Sequence, residues 1–184
     1  MRGALLLLSV VVLVLQACST ESRQSDSVWM AMESNRAKFA AADQREAAEF
    51  LVEMADARMM DGREGEVARD RGVHADVKAY GEVMVRDQAM LLAEIQALAA
   101  SEGIFLPDRI SNAKASGLAS LMGKTGEDVD STFISMICID HERDVKEFRE
   151  ATELADPEVR AFAARRLEMI EQHLAEAKAI KERL

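Results

Sequence analysis

An all-α bundle of four long helices, paired as two hairpins and joined by one long crossover, is the fold this sequence predicts. Three observations predict it. Only two prolines, Pro107 and Pro157, occur in 184 residues. From residue 43 onward Ala, Glu, Arg, Met and Leu dominate with almost no β-branched alternation, a composition that supports helix and no sheet. Apolar residues then recur every three or four positions in four long stretches that end at glycine or proline signals.

The chain opens with Arg2 and an apolar run over residues 4–15 broken only by Ser9. That run is shorter than the roughly 20 residues a spanning helix needs, and its basic start fits the apolar region of a signal peptide. Leu15-Gln16-Ala17-Cys18 matches the box read by the lipoprotein signal peptidase. Residues 1–17 are therefore expected to be a removed leader, and Cys18 to be the lipidated first residue of the mature chain. Acyl chains on that covalent lipid each bury methylenes at about 0.8 kcal/mol apiece, enough together for stable membrane anchoring. Ser19, rather than Asp, follows the cysteine, which points to the outer membrane, facing the periplasm. Residues 18–42 are polar apart from Val28-Trp29-Met30 and read as the lipidated cysteine and a flexible tether.

Residues 43–184 form the expected bundle domain. The first helix, over 43–71, carries Phe50, Met54, Ala57, Gly65 and Ala68 on one stripe and stops near Gly72. A second helix over 76–101 repeats Tyr80, Met84, Leu91, Ile95 and Leu98 and stops at Gly103. The long connection that follows holds a short helix over 112–122. Asp130 is expected to cap the third long helix, whose stripe is Phe133, Met136/Ile137, Val145 and Phe148, while His74, in the turn before the second helix, is expected simply to be exposed. Asp156-Pro157 is a cap followed by the proline favoured at the first helical position. The fourth helix places Phe162, Ile170, Leu174, Ala177 and Ile180 on its stripe.

The hairpins are related. Asp76-Val77-Lys78-Ala79-Tyr80 is echoed by Glu158-Val159-Arg160-Ala161-Phe162, each opening the second helix of a pair. Short turns inside the pairs and one long link between them are the topology of a ferritin-like bundle, with the first and third long helices in contact.

Polar residues interrupt each stripe near its middle: Asp61, then Asp87 or Gln88, then Asp140 and His141, then His173. Four mid-helix positions converge in such a bundle, so Asp61, Asp87, His141 and His173 are the candidate metal ligands, with Gln88, Asp140, Glu142 and Asp144 as supporting polar residues. The same groups could instead close a hydrogen-bond network without metal. A di-iron carboxylate centre is not expected, because neither histidine has a Glu three residues before it. The eleven Met lie mostly on apolar stripes and read as core packing rather than copper ligands.

Met59-Met60-Asp61, Gly65, Val67-Ala68, Val77-Lys78-x-Tyr80-Gly81-x-x-Met84-Val85-x-Asp87-Gln88, Leu106-Pro107, Ile139-Asp140-His141-Glu142-x-Asp144-Val145-x-x-Phe148 and His173-Leu174 resemble the bacterial domain of unknown function 4142 over residues 48 to 180. The resemblance implies a ferritin-like bundle in exported, often lipid-anchored proteins and brings no biochemical activity with it. It also implies Glu where Asp61 stands and His where Gln88 stands. With both changed, an implied site of one Glu and three His becomes two His and one or two Asp, and metal affinity is expected to fall.

The chain is acidic, with 23 basic against 33 acidic side chains and a formal net charge of −10, which loss of Arg2 with the leader would deepen by one. That field repels nucleic acid and anionic lipid. Once Cys18 is acylated, Cys138 is the one cysteine left, so no intramolecular disulfide is expected, and its apolar neighbours read as the setting of an inert buried thiol. No nucleophile–base or phosphate-cradling motif is present. The leading expectation is thus a non-enzymatic envelope lipoprotein that binds a protein partner or answers envelope stress. Its rival is a metal-binding or metal-dependent redox protein with a degenerate site, carrying a transition-metal ion in the bundle core.

Overall fold

A computed structural model describes residues 26–184. Cys18, the leader and residues 19–25 of the expected tether lie outside the described residues. Six helices follow in order: α1 Ser27–Lys38, α2 Ala42–Arg71, α3 Ala75–Glu102, α4 Asn112–Met122, α5 Glu127–Ala151 and α6 Pro157–Lys181. No strand occurs among the described residues.

The long helices α2, α3, α5 and α6 make the expected bundle. α2 packs along α3 and α5 along α6, and the two hairpins meet through α2 against α5 and α3 against α6. The crossover through α4 returns the chain to the end at which α3 began. There Asp130 of α5 accepts hydrogen bonds from the backbone N–H groups of Val73 (2.9 Å) and His74 (2.7 Å), and Arg183, just past α6, pairs with Asp76 at 2.8 Å. The result is the up-down-down-up order of a ferritin-like bundle.

Three local expectations change. The stretch expected as tether is helical over Ser27–Lys38 and docked. Its polar residues are the docking contacts: Asn35 donates to the Phe105 carbonyl and accepts from the Phe105 N–H, both at 2.8 Å, and Ser27 donates to Asp108 at 2.6 Å. Asp130 does not cap α5, which starts four residues earlier from Gly126 at φ +58°; its carboxylate serves the α2–α3 turn instead. His74 is half-buried and caps α3, accepting from the Asp76 N–H at 3.2 Å. Asp156 does cap α6, accepting from Glu158 and Val159 N–H, with Pro157 in the first turn.

α2 and α3 approach closely at Gly65 and Gly81. A Cβ on Gly81 would stand 2.7 Å from the Gly65 carbonyl oxygen, and one on Gly65 would stand 2.9 Å from the Gly81 carbonyl oxygen. Glycine is required here by backbone proximity rather than by backbone dihedrals.

The apolar core is split along the bundle. One cluster holds Phe50, Leu91, Ile95, Phe148 and Phe162, with Phe50 and Phe148 edge to face at 5.3 Å between centroids. The other holds Ala68, Tyr80, Met84, Phe133, Ile137 and Ile180. Along every long helix the stretch between these clusters carries buried polar side chains: Arg58, Asp61 and Glu64 on α2, Asp87 and Gln88 on α3, His141 and Asp144 on α5, His173 on α6.

Candidate metal centre

The polar layer follows from helical spacing. Arg58, Asp61 and Glu64 stand at successive intervals of three on the inner face of α2, and His141 and Asp144 are likewise three apart on α5, so each set aligns over one stripe. Arg58, Asp61, Glu64, Gln88, His141 and Asp144 are at most 1 % exposed. Water is therefore excluded, and each charge there must be met by a partner.

One guanidinium meets two of the three buried carboxylates. Arg58 Nη2 donates to Asp144 Oδ2 and stands 3.1 Å from Asp61 Oδ2, an ion contact without the alignment of a hydrogen bond. Burial works against the Arg58 charge, but Asp144 and Asp61 more than offset it and raise its pKa further. Asp61 Oδ1, Asp144 Oδ1, both oxygens of Glu64 and both ring nitrogens of His141 have no hydrogen-bond partner. Burial, reinforced by the Asp61 charge, pushes the Glu64 carboxyl up to about 9. Burial also pushes Asp61 up, to about 7, against the pull of Arg58. His141 is held down at about 3 by burial and by Arg58 nearby, so its imidazole is neutral, as a metal ligand must be.

His173 belongs to a neighbouring pair. Its Nε2 lies 3.0 Å from Asp87 Oδ2, and with a carboxylate acceptor there Nε2 carries the proton and donates. Burial opposes ionisation of Asp87, yet hydrogen bonds from Arg86 and His173 outweigh it and hold the carboxyl below its ordinary value. Tyr80 Oη donates to the His173 carbonyl at 2.9 Å, fixing that turn of α6. The His141 and His173 rings meet edge to face at 5.6 Å, and His173 Nδ1 has no partner. Gln88 donates to Met84 Sδ at 3.5 Å and leaves its Oε1 unpartnered.

Of the sequence-predicted ligands, Asp61 and His141 come together, and the third member of their group is Asp144, expected only as support. Asp61, His141 and Asp144 each offer a ligand atom within 4.8 Å of the others. A second group of the same tightness is Asp61, Glu64 and Asp140. Asp87 and His173 face one another beside this centre. Glu142 lies outside it, exposed and paired with Lys178 at 2.7 Å, and Asp140 is half-buried and paired with Arg143 at 2.6 Å. Cys138 is buried away from these groups, its thiol pushed up by burial.

Sequence reasoning missed Arg58 and Glu64. Their signal was present, since both fall at steps of three or four from Met54 and Asp61, but an Arg or Glu on an α-helix is ordinarily a solvated face.

A dinuclear carboxylate centre of the ferritin-like kind does not fit. Such centres take a Glu-x-x-His from two of the helices, whereas Cys138 and Ile170 precede His141 and His173 here, and the Arg58 cation occupies the layer. A single divalent ion does fit the donor set, because two carboxylates and one imidazole retain unpartnered atoms in a dry site.

Comparison with known proteins agrees with this fold. No curated protein matches the chain. Among solved structures it is similar to a DUF305 fragment from Deinococcus radiodurans, with a TM-score of 0.67 at 15 % identity over 76 % of this chain and 97 % of that one. The model of the domain of unknown function DUF4142 matches residues 32–180, taking in part of α1 and all four bundle helices. The chain belongs to the DUF4142 family.

Proposed function

We propose that this protein is a lipid-anchored, non-enzymatic protein of the bacterial envelope whose bundle core binds one divalent transition-metal ion through Asp61, His141 and Asp144. The observation that carries the metal reading is the unmet charge of the core. Arg58 neutralises one of the three buried carboxylates Asp61, Glu64 and Asp144, and two negative charges remain if all are ionised. Without metal, burial favours the protonated form of Glu64 and, less strongly, of Asp61; a divalent cation would supply the missing positive charge and fill the open ligand positions in one step. The anchor is supported by Leu15-Gln16-Ala17-Cys18 behind a short apolar run.

The test is metal analysis of protein isolated without chelator, beside His141→Ala. About one ion per chain in the parent and none in the variant is the expected outcome; a parent free of metal even after incubation with zinc would end the reading.

A second reading is favoured by Arg58 itself, whose contacts with Asp144 and Asp61 are those of a metal-free ionic network. The two separate on Gln88→His. An added imidazole strengthens zinc binding under the metal reading and confers none under the network reading, where His141→Ala lowers thermal stability in metal-free buffer.

A further inference from the structure

The buried centre is approached by two crevices of opposite charge. The first lies between α1, α2 and α5, has a volume of about 310 Å³, and has Asp144 in its lining with Glu53, Glu147, Lys114 and Arg143. Water takes about 30 Å³ per molecule, so this space accommodates an ion with its hydration shell. Two other carboxylates that line it are committed to backbone: Asp56 accepts from the Ser111 N–H at 2.7 Å, and Asp26 accepts from the N–H groups of Val28, Trp29 and Asn112. Glu53 is exposed and Glu147 half-buried, and Glu147 stands 3.7 Å from Arg143; burial raises both carboxyls, Glu147 to about 7, so the pair is most fully anionic above neutral pH. Asp144 is wholly buried, with Oδ2 held by Arg58 and Oδ1 unpartnered. The second crevice, between α2 and α3, measures about 260 Å³ and reaches Arg58 and Gln88, with Arg63 and Glu66 beside them. Two guanidiniums against one carboxylate make that side unfavourable to a cation.

We infer that the α1–α2–α5 crevice is the route by which a hydrated divalent cation reaches the core, with Glu53 and Glu147 collecting it at the mouth and Asp144 receiving it at the floor. This inference rests on the metal reading above. A cleft whose carboxylates outnumber its cations, here Asp26, Glu53, Asp56, Asp144 and Glu147 against Lys114 and Arg143, raises the local concentration of counter-ions and hence the rate of capture, an effect that salt screens. Asp144 then hands the ion inward, because the same carboxylate belongs to the group formed with Asp61 and His141. Glu53 and Glu147 act on the approach of the ion and are not ligands in the final site.

The experiment follows zinc uptake by detergent-solubilised full-length protein, first stripped with chelator, in competition with a colorimetric zinc indicator under stopped flow. Glu53→Gln/Glu147→Gln changes only partly or fully exposed side chains, and Glu66→Gln serves as the control in the second crevice. The expected result is a fall in uptake rate of about five-fold or more for the double variant at low ionic strength. That difference shrinks in about 0.5 M salt, with equilibrium stoichiometry unchanged and the Glu66→Gln rate equal to that of the parent. An unaltered rate in the double variant, or an equal loss in Glu66→Gln, overturns the route while leaving the metal site standing. Lost stoichiometry in the double variant overturns it too, by making the two glutamates ligands. A parent that takes up no zinc overturns both the route and the site.

Discussion

At the scale of single residues, the chemistry is decided by burial without enough counter-charge. Glu64 shows the consequence most simply, because neither of its oxygens has a hydrogen-bond partner. Its carboxyl is raised from 4.5 to about 9, so below about pH 4.5 it is protonated in folded and unfolded chains alike, and its stabilising proton is fully in place. As pH rises toward 9 the unfolded chain loses that proton while the fold must keep it, and metal-free stability falls by up to about 1.4 kcal/mol per pH unit. His141 acts in the opposite sense. Held down at about 3 from 6.5, it contributes stability above pH 6.5 that is lost as pH falls toward 3. Glu64→Gln is therefore expected to raise the melting temperature of the metal-free protein relative to the parent more at about pH 8 than at about pH 5. Thermal melts at both values check this, and an equal shift at the two would contradict it. Asp61 and His141 were legible in the sequence because a polar residue on an apolar stripe stands out. Arg58 and Glu64 were not, since charged residues are common on helices and only tertiary packing shows which of them face inward.

At the scale of elements, the four long helices and their pairing follow from periodicity and punctuation. Val77 and Tyr80 of α3 and Val159 and Phe162 of α6, the large apolar members of the repeated segment, are all buried where each hairpin's second helix begins. α1 was illegible for a definite reason: its buried face is Ser27, Ala31 and Asn35, and it is held by hydrogen bonds to the 104–108 connection rather than by an apolar stripe. Sequence patterns register hydrophobic faces, not side-chain bonds to a segment about seventy residues away. α2 and α3 approach closely at Gly65 and Gly81. Gly81→Ala must displace backbone on the facing helix, and a loss of about 1–3 kcal/mol is expected. Denaturant unfolding measures it, and a variant as stable as the parent would show that the two helices can move apart without cost.

At the scale of the whole molecule, the bundle is one layer of ionic chemistry between two apolar clusters, carried on an acidic chain. None of the described helices is long and apolar enough to cross a membrane, and the proposed membrane attachment is through Cys18. Cys18→Ser is expected to leave an unprocessed precursor that incorporates no labelled fatty acid, and normal acylation of that variant would remove the basis for the anchor. With α1 docked, eight residue steps connect Cys18 to Asp26, a reach of at most about 28 Å. The domain would therefore sit close to the bilayer rather than at the end of a long stalk. Under the proposed function the polar layer holds a metal ion and not merely an ionic network. Anomalous diffraction from crystals grown with zinc tests it most directly. One core peak about 2.0–2.2 Å from a ring nitrogen of His141 and from carboxylate oxygens of Asp61 and Asp144 is the predicted result. Zinc found only on surface carboxylates, with Arg58 still joining Asp61 and Asp144 in an ion-free core, would contradict it.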